Sequence, residues 1–368
     1  MLKILTIIGA RPQFIKAASV SRVIAQTQGM HEVLVHTGQH FDSNMSEIFF
    51  GQLQLPKPTY SLGIHGGGHG EMTGRMLIEI EKLIFNERPD GVLVYGDTNS
   101  TLAGALAAAK HDIPVIHVEA GLRSFNRRMP EEVNRILTDH VSSVLFTPTC
   151  QATENLMREG IEAGRLVQVG DVMYDAMLLF REFMPSIVDV GRKYRLPVAH
   201  EYVLTTVHRQ ENTDDADRLK AILLGLGKVA EATKVILPLH PRTRQRIAHF
   251  GLSALLSPIS TTEPLGFLEM MRLQISAQVI VTDSGGVQKE AFFHSKPCVT
   301  LRDETEWIEL VDAGWNKIAP PLQADIAATV LSAVGSRGAD IAPYGIGDAA
   351  KRIVEECLSR LSRNASRV

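Results

Sequence analysis

The sequence contains few cysteines, and they are not clustered. Its 368 residues include 3 cysteines, Cys150, Cys298 and Cys357, and no CxxC pair. Structural zinc sites and disulfide frameworks need closely spaced or paired cysteines, so the sequence indicates neither. The acidic residues are dispersed along the chain too, and we expect no metal site.

Long apolar runs and long runs of one charge are also absent. No stretch of about 18 apolar residues occurs, so no membrane-spanning helix is predicted. The first apolar run, Leu2–Ile8, is too short for the core of a signal peptide, and Arg11-Pro12 interrupts it. The formal net charge is −3, without the basic stripe that is typical of nucleic-acid-binding proteins. We therefore expect a cytoplasmic protein that binds neither nucleic acid nor a membrane.

The chain does contain enough apolar side chains for two cores. Apolar residues make up 45% of it and charged residues 21%, an ordinary composition for a globular protein. Single hydrophobic cores stop growing at about 250–300 residues, so the length favours two domains.

Short runs rich in β-branched residues recur along the chain, and most are followed by a helical pattern. In the first half they are Leu2–Ile8, Glu32–His36, Gly91–Tyr95, Pro114–Val118, Val144–Thr147 and Leu166–Val169. In the second half they are Tyr202–Val207, Lys234–Leu239, Gln278–Thr282 and Pro297–Leu301. This alternation predicts parallel βαβ units and two doubly wound, Rossmann-like sheets.

A polar stretch around Arg192–Glu201 separates the two series of strands. We predict an N-terminal domain over residues 1–175 and a C-terminal domain over residues 176–368. The segment Ile346–Leu361 has the pattern of a closing amphipathic helix, which could pack back on the N-terminal domain. The glycines at 66–68 are predicted to form a surface loop.

Ligands bind beyond the carboxyl ends of the strands in open parallel sheets, so the residues after each strand are the candidates for a site. After the first strand, Arg11 and Lys16 flank the start of a helix, whose free N–H groups favour an anion. Asp97 and Glu119 follow the third and fourth strands, and Glu131 begins a later helix. If these three carboxylates converge, like-charge crowding would raise a carboxyl pKa and create an acid/base pair.

Plainer interpretations of the same residues stay open. Arg11 and Lys16 could be solvated cations on a turn, and Asp97 could be a helix N-cap. Glu131 and Arg135 are four residues apart on one helix face, which also fits a surface ion pair.

The second half carries the residues that suit a diphosphate. His208-Arg209, His240 and Arg302 each follow a predicted strand, and an arginine offers a planar fork to phosphate oxygens. Ser284-Gly285-Gly286 at a helix start predicts a backbone nest for phosphate, and Glu290 lies about one turn further, where it could accept from ribose hydroxyls. The alternatives are a structural histidine at 208 and an ordinary glycine turn.

Taken together, these segments resemble the non-hydrolysing UDP-N-acetylglucosamine 2-epimerases, from the first strand to about residue 350. The motifs that carry the resemblance occur in the family's order: GARPQFIK at Gly9–Lys16, YGDT at Tyr95–Thr98, HVEAGLR at His117–Arg123, PEEVNR at Pro130–Arg135, VHR at Val207–Arg209, TDSGGVQKE at Thr282–Glu290 and RDETE at Arg302–Glu306. A single such motif would be weak evidence, whereas this ordered set is specific.

The resemblance implies a GT-B architecture, in which two Rossmann-like domains flank a central cleft. It implies interconversion of UDP-N-acetylglucosamine and UDP-N-acetylmannosamine by anti elimination and re-addition of UDP, without a cofactor. It further implies a homodimer that supplies surface polysaccharide precursors, such as those of lipopolysaccharide O-antigen. The matching catalytic positions are Lys16, Asp97, Glu119, Glu131, Arg135 and His208. The matching substrate-binding positions are Arg11, Arg209, His240, Ser284, Gly285, Gly286, Glu290 and Arg302.

Departures from the family pattern bear on the substrate. The loop Ser124–Met129 is short and carries Arg127-Arg128, and Trp307-Ile308 replaces the usual Arg-Pro. Around Gln39–Met45 and Ile64–Gly74, the sequence does not match the contacts that other members make with an activating second substrate molecule. These features resemble the branch that acts on UDP-2,3-diacetamido-2,3-dideoxy-glucuronate, whose extra carboxylate could pair with the arginines. Plain UDP-N-acetylglucosamine remains an equal alternative.

Other functions share parts of this pattern. A GT-B glycosyltransferase would use the nucleotide-binding half but would not need the acidic residues of the first half. A hydrolysing epimerase would release free sugar and UDP after the same elimination. A non-catalytic sugar-nucleotide sensor has no use for so many ionisable side chains in one site.

Overall fold

The computed structural model describes residues 1–39, 56–199 and 201–365, which form two compact α/β units. The first unit comprises Met1–Phe180 and Ala342–Val368, and the second comprises Arg181–Ile341. The first unit thus continues beyond residue 175, where the sequence suggested a boundary, and it also takes in the last helix of the chain.

The first unit is built on a parallel sheet with the strand order β3-β2-β1-β4-β5-β6-β7. Its strands are β1 (Leu2–Ile8), β2 (Met30–His36), β3 (Tyr60–Ser61), β4 (Gly91–Tyr95), β5 (Val115–Val118), β6 (Val144–Thr147) and β7 (Leu166–Gln168). Helices described between them are α1 (Arg11–Gln26), α2 (His69–Glu87), α3 (Asn99–Ala109), α4 (Pro130–Val141), α5 (Cys150–Arg158) and α6 (Val172–Phe180). Both faces of the sheet are covered, so β1 is apolar at successive positions and nearly all of it is buried.

The second unit repeats the plan with the strand order β10-β9-β8-β11-β12-β13, again all parallel. Its strands are β8 (Tyr202–Thr206), β9 (Lys234–Pro238), β10 (Ser260–Thr262), β11 (Val279–Thr282), β12 (Cys298–Thr300) and β13 (Asn316–Ile318). Its described helices are α7 (Ile187–Tyr194), α8 (Gln210–Thr213), α9 (Ala216–Ala232), α10 (Pro241–His249), α11 (Phe267–Ser276), α12 (Gly285–Phe293), α13 (Ile308–Asp312) and α14 (Ile326–Ala333).

The strands expected from the sequence are all present, with small shifts at their ends, and the two doubly wound sheets are confirmed. The sequence analysis missed β3, β10 and β13. Each of these lies at an edge of its sheet and is only two or three residues long. Each is paired on one side only, and its two or three residues show no apolar pattern that stands out from the flanking loop. The predicted loop of glycines at 66–68 is exposed and ends where α2 begins.

The strand order reverses once in each sheet. In the first unit the chain winds outward from β1 in one direction and from β4 in the other, and in the second unit the reversal lies between β8 and β11. Such a switch point leaves an opening beyond the carboxyl ends of the two strands, because their following helices lie on opposite faces of the sheet. The candidate residues of the first half lie around the switch point between β1 and β4, and those of the second half lie around the switch point between β8 and β11.

Among the described residues, no helix is long and apolar enough to cross a membrane.

A buried carboxylate ties the last helix, α15 (Ala349–Ala365), to the first unit. Asp175 in α6 accepts a hydrogen bond from the backbone N–H of Ala350, with a distance of 2.8 Å. Its second carboxylate oxygen is buried and has no partner among the residues the structure describes. Burial raises the pKa of Asp175 to about 6, which outweighs the lowering effect of the backbone donors at 349 and 350.

We expect this carboxyl to make stability depend on pH. Its pKa is raised by folding from 3.8 to about 6, so the folded state binds this proton more tightly, and the contribution of Asp175 to wild-type stability falls as pH rises from about 4 to about 7. Asp175→Asn removes this titration. As pH rises from about 4 to about 7, the unfolding free energy of the variant should therefore increase relative to that of wild type by on the order of 2–3 kcal/mol. Calorimetric melts at each pH measure this difference.

The test uses how the stability difference between Asp175→Asn and wild type changes with pH. The different hydrogen bonding of the amide adds to that difference a constant that does not depend on pH. Asp217, an exposed residue in the first turn of α9, offers a matched control as Asp217→Asn. A difference between Asp175→Asn and wild type that stays constant from pH 4 to 7 would contradict the assignment.

Candidate functional site

The ends of β1 and β4 are joined by the side chain of Gln13. Its Oε1 accepts from the backbone N–H of Gly9 and of Ala10, at 2.8 and 3.0 Å. Its Nε2 donates to the Tyr95 carbonyl at 2.8 Å and to the Thr101 hydroxyl at 2.9 Å. Every hydrogen-bonding group of this buried amide is therefore used, and the turn after β1 is fixed against the turn after β4. Gln13 was not among the residues predicted from the sequence, although glutamine three residues after a helix N-cap is a recognisable capping signal.

A cavity of about 180 Å³ opens beside this cross-link. It is lined by residues at or after the ends of β1, β2 and β4 and by residues near the starts of α1 to α4: Ala10, Pro12, Gln13, Lys16, Gln39, His69, Tyr95, Gly96, Asp97, Thr98, Asn99, Pro130, Glu131 and Asn134. Three residues predicted from the sequence, Lys16, Asp97 and Glu131, thus lie around one space. Arg11 begins α1 at the same edge of the sheet.

Two ion pairs order the charges at this cavity. The Lys16 ammonium pairs with the Glu119 carboxylate, and both side chains are nearly buried. The Arg135 guanidinium pairs with the Asp97 carboxylate. The expected like-charge crowding is therefore not what the structure shows, since each of these carboxylates faces a cation. Lysine and arginine neighbours offset the charge of each carboxylate and hold it in one orientation.

The helix partner of Arg135 is Glu132 and not Glu131. Glu132 lies 2.9 Å from an Arg135 nitrogen and also accepts from the backbone N–H groups of Ser124 and Phe125, each at 2.9 Å. Burial alone would raise its pKa, but these donors and Arg135 lower the pKa of Glu132 below its usual value. Glu132 thus anchors the loop that follows Arg123, and Glu131 is left exposed on the cavity wall.

The short loop at 124–129 presents its arginines to solvent. Arg127 and Arg128 are both exposed, and neither has a carboxylate partner among the residues that the structure describes. The segment Gln39–Met45 was compared above with the activator contacts of other family members, and residues 40–45 of it lie outside the described residues. Gln39 lines the cavity and accepts from the Ser100 hydroxyl at 2.8 Å, and His69 lines it as well.

In the second unit, Asp283 joins the ends of β8 and β11 as Gln13 does in the first. Its buried carboxylate accepts from the backbone N–H of His208 at 3.1 Å, from that of Arg209 at 3.0 Å and from the Asn212 amide at 3.1 Å. Only Ser284-Gly285-Gly286, directly after Asp283, was predicted from the sequence to belong to the site. A buried aspartate directly after a strand was the available signal, because it requires donors from a neighbouring strand end.

The two predicted histidines lie near each other at this edge. The rings of His208 and His240 are 6.2 Å apart between centroids, and His208 Nδ1 lies 3.5 Å from an Asp283 oxygen. His240 caps α10, because its Nδ1 accepts from the backbone N–H of Arg242 at 3.3 Å. Partial burial, and then the neighbouring His208, lower the pKa of His240.

The predicted arginines converge on Glu306. Arg302 is buried and lies 2.8 Å from one Glu306 oxygen, and Arg209 lies 3.7 Å from the other. Burial alone would raise the pKa of Glu306, but Arg302 lowers it. A Cβ atom on Gly285 would lie 3.7 Å from Glu306 and 3.9 Å from Arg209, so the glycine at the start of α12 directly faces this charged group.

The remaining predicted residues lie along α12. Ser284 caps the helix by accepting from the Val287 N–H at 3.5 Å. Glu290 accepts from the Gln274 amide at 2.6 Å. Trp307, one of the departures from the family pattern, donates from its indole nitrogen to the Gly285 carbonyl at 2.9 Å.

Among the described residues, no group of histidine, cysteine and acidic side chains could hold a metal ion.

The chain is similar to known proteins over nearly its whole length. A family model described as UDP-N-acetylglucosamine 2-epimerase matches residues 22–358. The chain is 53% identical over 358 residues to UDP-2,3-diacetamido-2,3-dideoxy-D-glucuronate 2-epimerase of Pseudomonas aeruginosa. This match covers 96% of the present chain and 99% of the relative. It is 44% identical over 359 residues to UDP-N-acetylglucosamine 2-epimerase of Methanocaldococcus jannaschii, with 96% and 98% covered.

A solved structure supports the same relationship. The crystal structure of the M. jannaschii UDP-GlcNAc 2-epimerase in complex with UDP-GlcNAc and UDP matches with a TM-score of 0.84 and 43% identity, over 97% of this chain and 99% of that one. The likeness extends over both α/β units. The predicted fold class, GT-B with two Rossmann-like units, is therefore confirmed.

The Asp283 cross-link generates a prediction about stability. Asp283→Asn places an amide N–H₂ against donors that need an acceptor, and a buried donor left unsatisfied costs about 1–3 kcal/mol. We expect urea denaturation to show a loss of that size in the second unit. Both tryptophans of the chain, Trp307 and Trp315, lie in that unit, so tryptophan fluorescence reports its unfolding.

The matched control is Asp303→Asn. Asp303 is 58% exposed and pairs with Arg218 at 3.0 Å, and surface ion pairs contribute about 0–1 kcal/mol. Equal losses in the two variants would show that Asp283 has no special anchoring role.

Proposed function

The chain belongs to the UDP-N-acetylglucosamine 2-epimerase family, and from this premise we propose that it inverts carbon 2 of UDP-2,3-diacetamido-2,3-dideoxy-D-glucuronate. Membership of the family makes it an isomerase. The observation that carries the proposal is the cavity of the first unit, where Lys16, Asp97 and Glu131 line one space and Glu119 pairs with Lys16. The 53% identity to a relative named for that substrate supports the choice of sugar.

The reaction must remove a proton that is not acidic. No carbonyl is conjugated to carbon 2, so the electrons of its C–H bond need somewhere to go. In the proposed sequence a base takes the proton, those electrons form the C1=C2 double bond, and UDP leaves carbon 1 with the electron pair of the C1–O bond. A proton then returns to the opposite face of carbon 2, and UDP attacks carbon 1 again. Two proton-transferring groups on opposite faces of the sugar are required.

We assign these proton transfers to Asp97, Glu119 and Glu131. Lys16 and Arg135 act beside them, because each holds one of the carboxylates in a fixed orientation. Asp97 is further restrained through its backbone carbonyl, which accepts from the Asn134 amide at 2.9 Å. Such restraint favours catalysis, since acid/base groups must meet the proton within hydrogen-bonding distance.

The departing diphosphate is assigned to the second unit. Arg209 and Arg302 provide guanidinium groups, and His208 and His240 lie close by. Ser284-Gly285-Gly286 forms the start of α12, where the first backbone N–H groups have no carbonyl partner within the helix. Donors of this kind stabilise charge that develops on a leaving group. We further propose that Arg11 contacts the diphosphate and that Glu290 binds the ribose, as the family motifs suggest.

The uronate form of the substrate is supported by the arginine loop. A carboxylate on the sugar would find two exposed guanidinium groups at Arg127 and Arg128, and arginine–carboxylate pairs combine charge with directed hydrogen bonds. UDP-N-acetylglucosamine is the second candidate, because a relative named for that sugar is 44% identical to this chain. Homodimerisation remains a prediction from the family resemblance, and a cytoplasmic location remains a prediction from the sequence.

Proton NMR in deuterated water tests the function. The enzyme is given UDP-2,3-diacetamido-2,3-dideoxy-D-glucuronate and UDP-N-acetylglucosamine in separate tubes. We expect deuterium at carbon 2 and a new manno signal in the uronate tube. Asp97→Asn and Glu119→Gln should slow the exchange by about 10²–10⁴-fold, the usual contribution of a general acid or base.

Glu79→Gln, which changes a surface carboxylate paired with Lys82, is the matched control and should exchange at the wild-type rate. Absence of exchange with both sugars would refute the epimerase for these substrates and favour the glycosyltransferase. Free sugar accumulating in stoichiometric amount would instead indicate a hydrolysing enzyme.

A double variant tests the substrate assignment separately. Arg127→Ala with Arg128→Ala removes both exposed guanidinium groups, and a hydrogen bond to a charged group contributes about 1.5–3 kcal/mol. We expect kcat/KM for the uronate to fall about 10–100-fold, while residual turnover of UDP-N-acetylglucosamine is unchanged. Arg158→Ala, on the exposed face of α5, is the control, and unchanged turnover of the uronate by the double variant would disprove the arginine assignment.

A further inference from the structure

His117 in β5 is fully buried between two hydrogen-bond acceptors. Its Nδ1 lies 2.7 Å from an Asp139 oxygen, and its Nε2 lies 2.7 Å from the carbonyl oxygen of Gly96. A backbone carbonyl can only accept, so Nε2 must carry a proton and donate it to Gly96.

The other ring nitrogen also donates. Asp139 is buried, and its second oxygen accepts from Arg123 at 2.7 Å and from the Gly121 N–H at 3.2 Å. Burial alone would raise the pKa of Asp139, but the charges of His117 and Arg123 lower it. A carboxylate that pairs with a buried guanidinium and takes a backbone N–H is an acceptor. From this geometry we infer that Nδ1, 2.7 Å from its other oxygen, donates as well, so that both N–H groups of an imidazolium are in use.

The charges around this ring are balanced. Arg123 also pairs with Glu159 at 2.7 Å, so the cluster contains two cations and two anions. A buried charge is tolerated only when it is paired and hydrogen-bonded. His117 fulfils both conditions, and this arrangement gives a reason for burying a charged ring one residue from the end of a strand.

His117 holds the carbonyl of Gly96, which belongs to the turn that leads into Asp97. Gly96 has φ +63° and is followed by Asp97, whereas Glu119 has φ +70° and follows His117 by two residues. A Cβ atom on Gly96 would lie 3.3 Å from a Glu119 oxygen, so the two turns are in close contact. A shift of the Gly96 carbonyl would therefore move Asp97 and disturb Glu119 together.

We propose that His117 is a positioning residue, which holds the Gly96 carbonyl as a doubly donating imidazolium and so sets Asp97 against Glu119. The proposal rests on the acid/base role proposed for those carboxylates. His117 is not itself among the described residues that line the cavity, whereas its partner Gly96 is, so it acts through the turn and not on the sugar.

The protonation state can be measured without any activity. We expect ¹⁵N NMR of the ligand-free enzyme at neutral pH, with the His117→Phe spectrum used for assignment, to show protons on both ring nitrogens of His117. In Asp139→Asn, the ring should lose the Nδ1 proton and keep the Nε2 proton that is donated to Gly96. An unprotonated Nδ1 or Nε2 in the wild-type enzyme would overturn the proposal.

The positioning role is tested by proton exchange at carbon 2, with whichever of the two UDP-sugars the wild type exchanges. His117→Phe keeps a ring of similar size but removes both donors, and a displacement of about 1 Å at a catalytic group costs about 10²-fold in rate. We expect that loss in exchange, with the Kd for UDP within about threefold of wild type. Asp139→Asn keeps the donor to Gly96 and should lose less than His117→Phe.

His111, a surface histidine that contacts Glu81 at 2.7 Å, gives the control His111→Phe, which should exchange like wild type. Wild-type exchange in His117→Phe, an equal loss of UDP affinity, or a greater loss in Asp139→Asn would each overturn the positioning role. Failure of the wild type to exchange would refute the proposed function instead, and the NMR result would still decide the state of the ring. Should His117→Phe not fold, selective ¹⁵N-histidine labelling identifies the ring of His117 as the one whose signals change in Asp139→Asn, and carbon 2 exchange in Asp139→Asn, expected to be slower than in the wild type, still tests the positioning role.

Discussion

The structure depends on how polar groups are satisfied where a parallel sheet changes its winding direction. At each switch point two strands end side by side, and the turns that follow them expose backbone N–H and C=O groups that no third strand can pair. Gln13 satisfies three such groups and the Thr101 hydroxyl in the first unit, and Asp283 accepts from three donors in the second. Each cross-link leaves the neighbouring side chains in fixed positions, which a binding site requires.

The same requirement explains the charged groups around the first cavity. Carboxylates at the end of a buried strand are costly unless they meet a cation or several donors. Glu119 meets Lys16, Asp97 meets Arg135, and Glu132 meets Arg135 together with the loop amides at 124 and 125. The pairs do two things at once, because they allow the carboxylates to be buried and they fix where each oxygen points. Glu131 is different, since it stays exposed on the cavity wall.

Sequence reasoning found the central strands and the residues that follow them. Parallel strands covered on both faces must be apolar along their whole length, and this pattern is visible without any structure. The edge strands β3, β10 and β13 lack that pattern because they are short and only one side is paired. Candidate residues such as Asp97 and His208 were visible for a similar reason, since the end of a parallel strand is where a ligand-binding residue can reach solvent.

The sequence by itself determined the fold class, the family and the list of candidate residues, because all three depend on local patterns and on the order of motifs. Only the tertiary structure decided the partners. Glu132 and not Glu131 pairs with Arg135, and His117 reaches both Asp139 and Gly96. These contacts join residues that are far apart in the chain, or choose between neighbours on one helix, so they depend on strand order and helix rotation, which spacing alone does not specify. For that reason the sequence predicted a crowd of like charges, and the folded chain has paired ones.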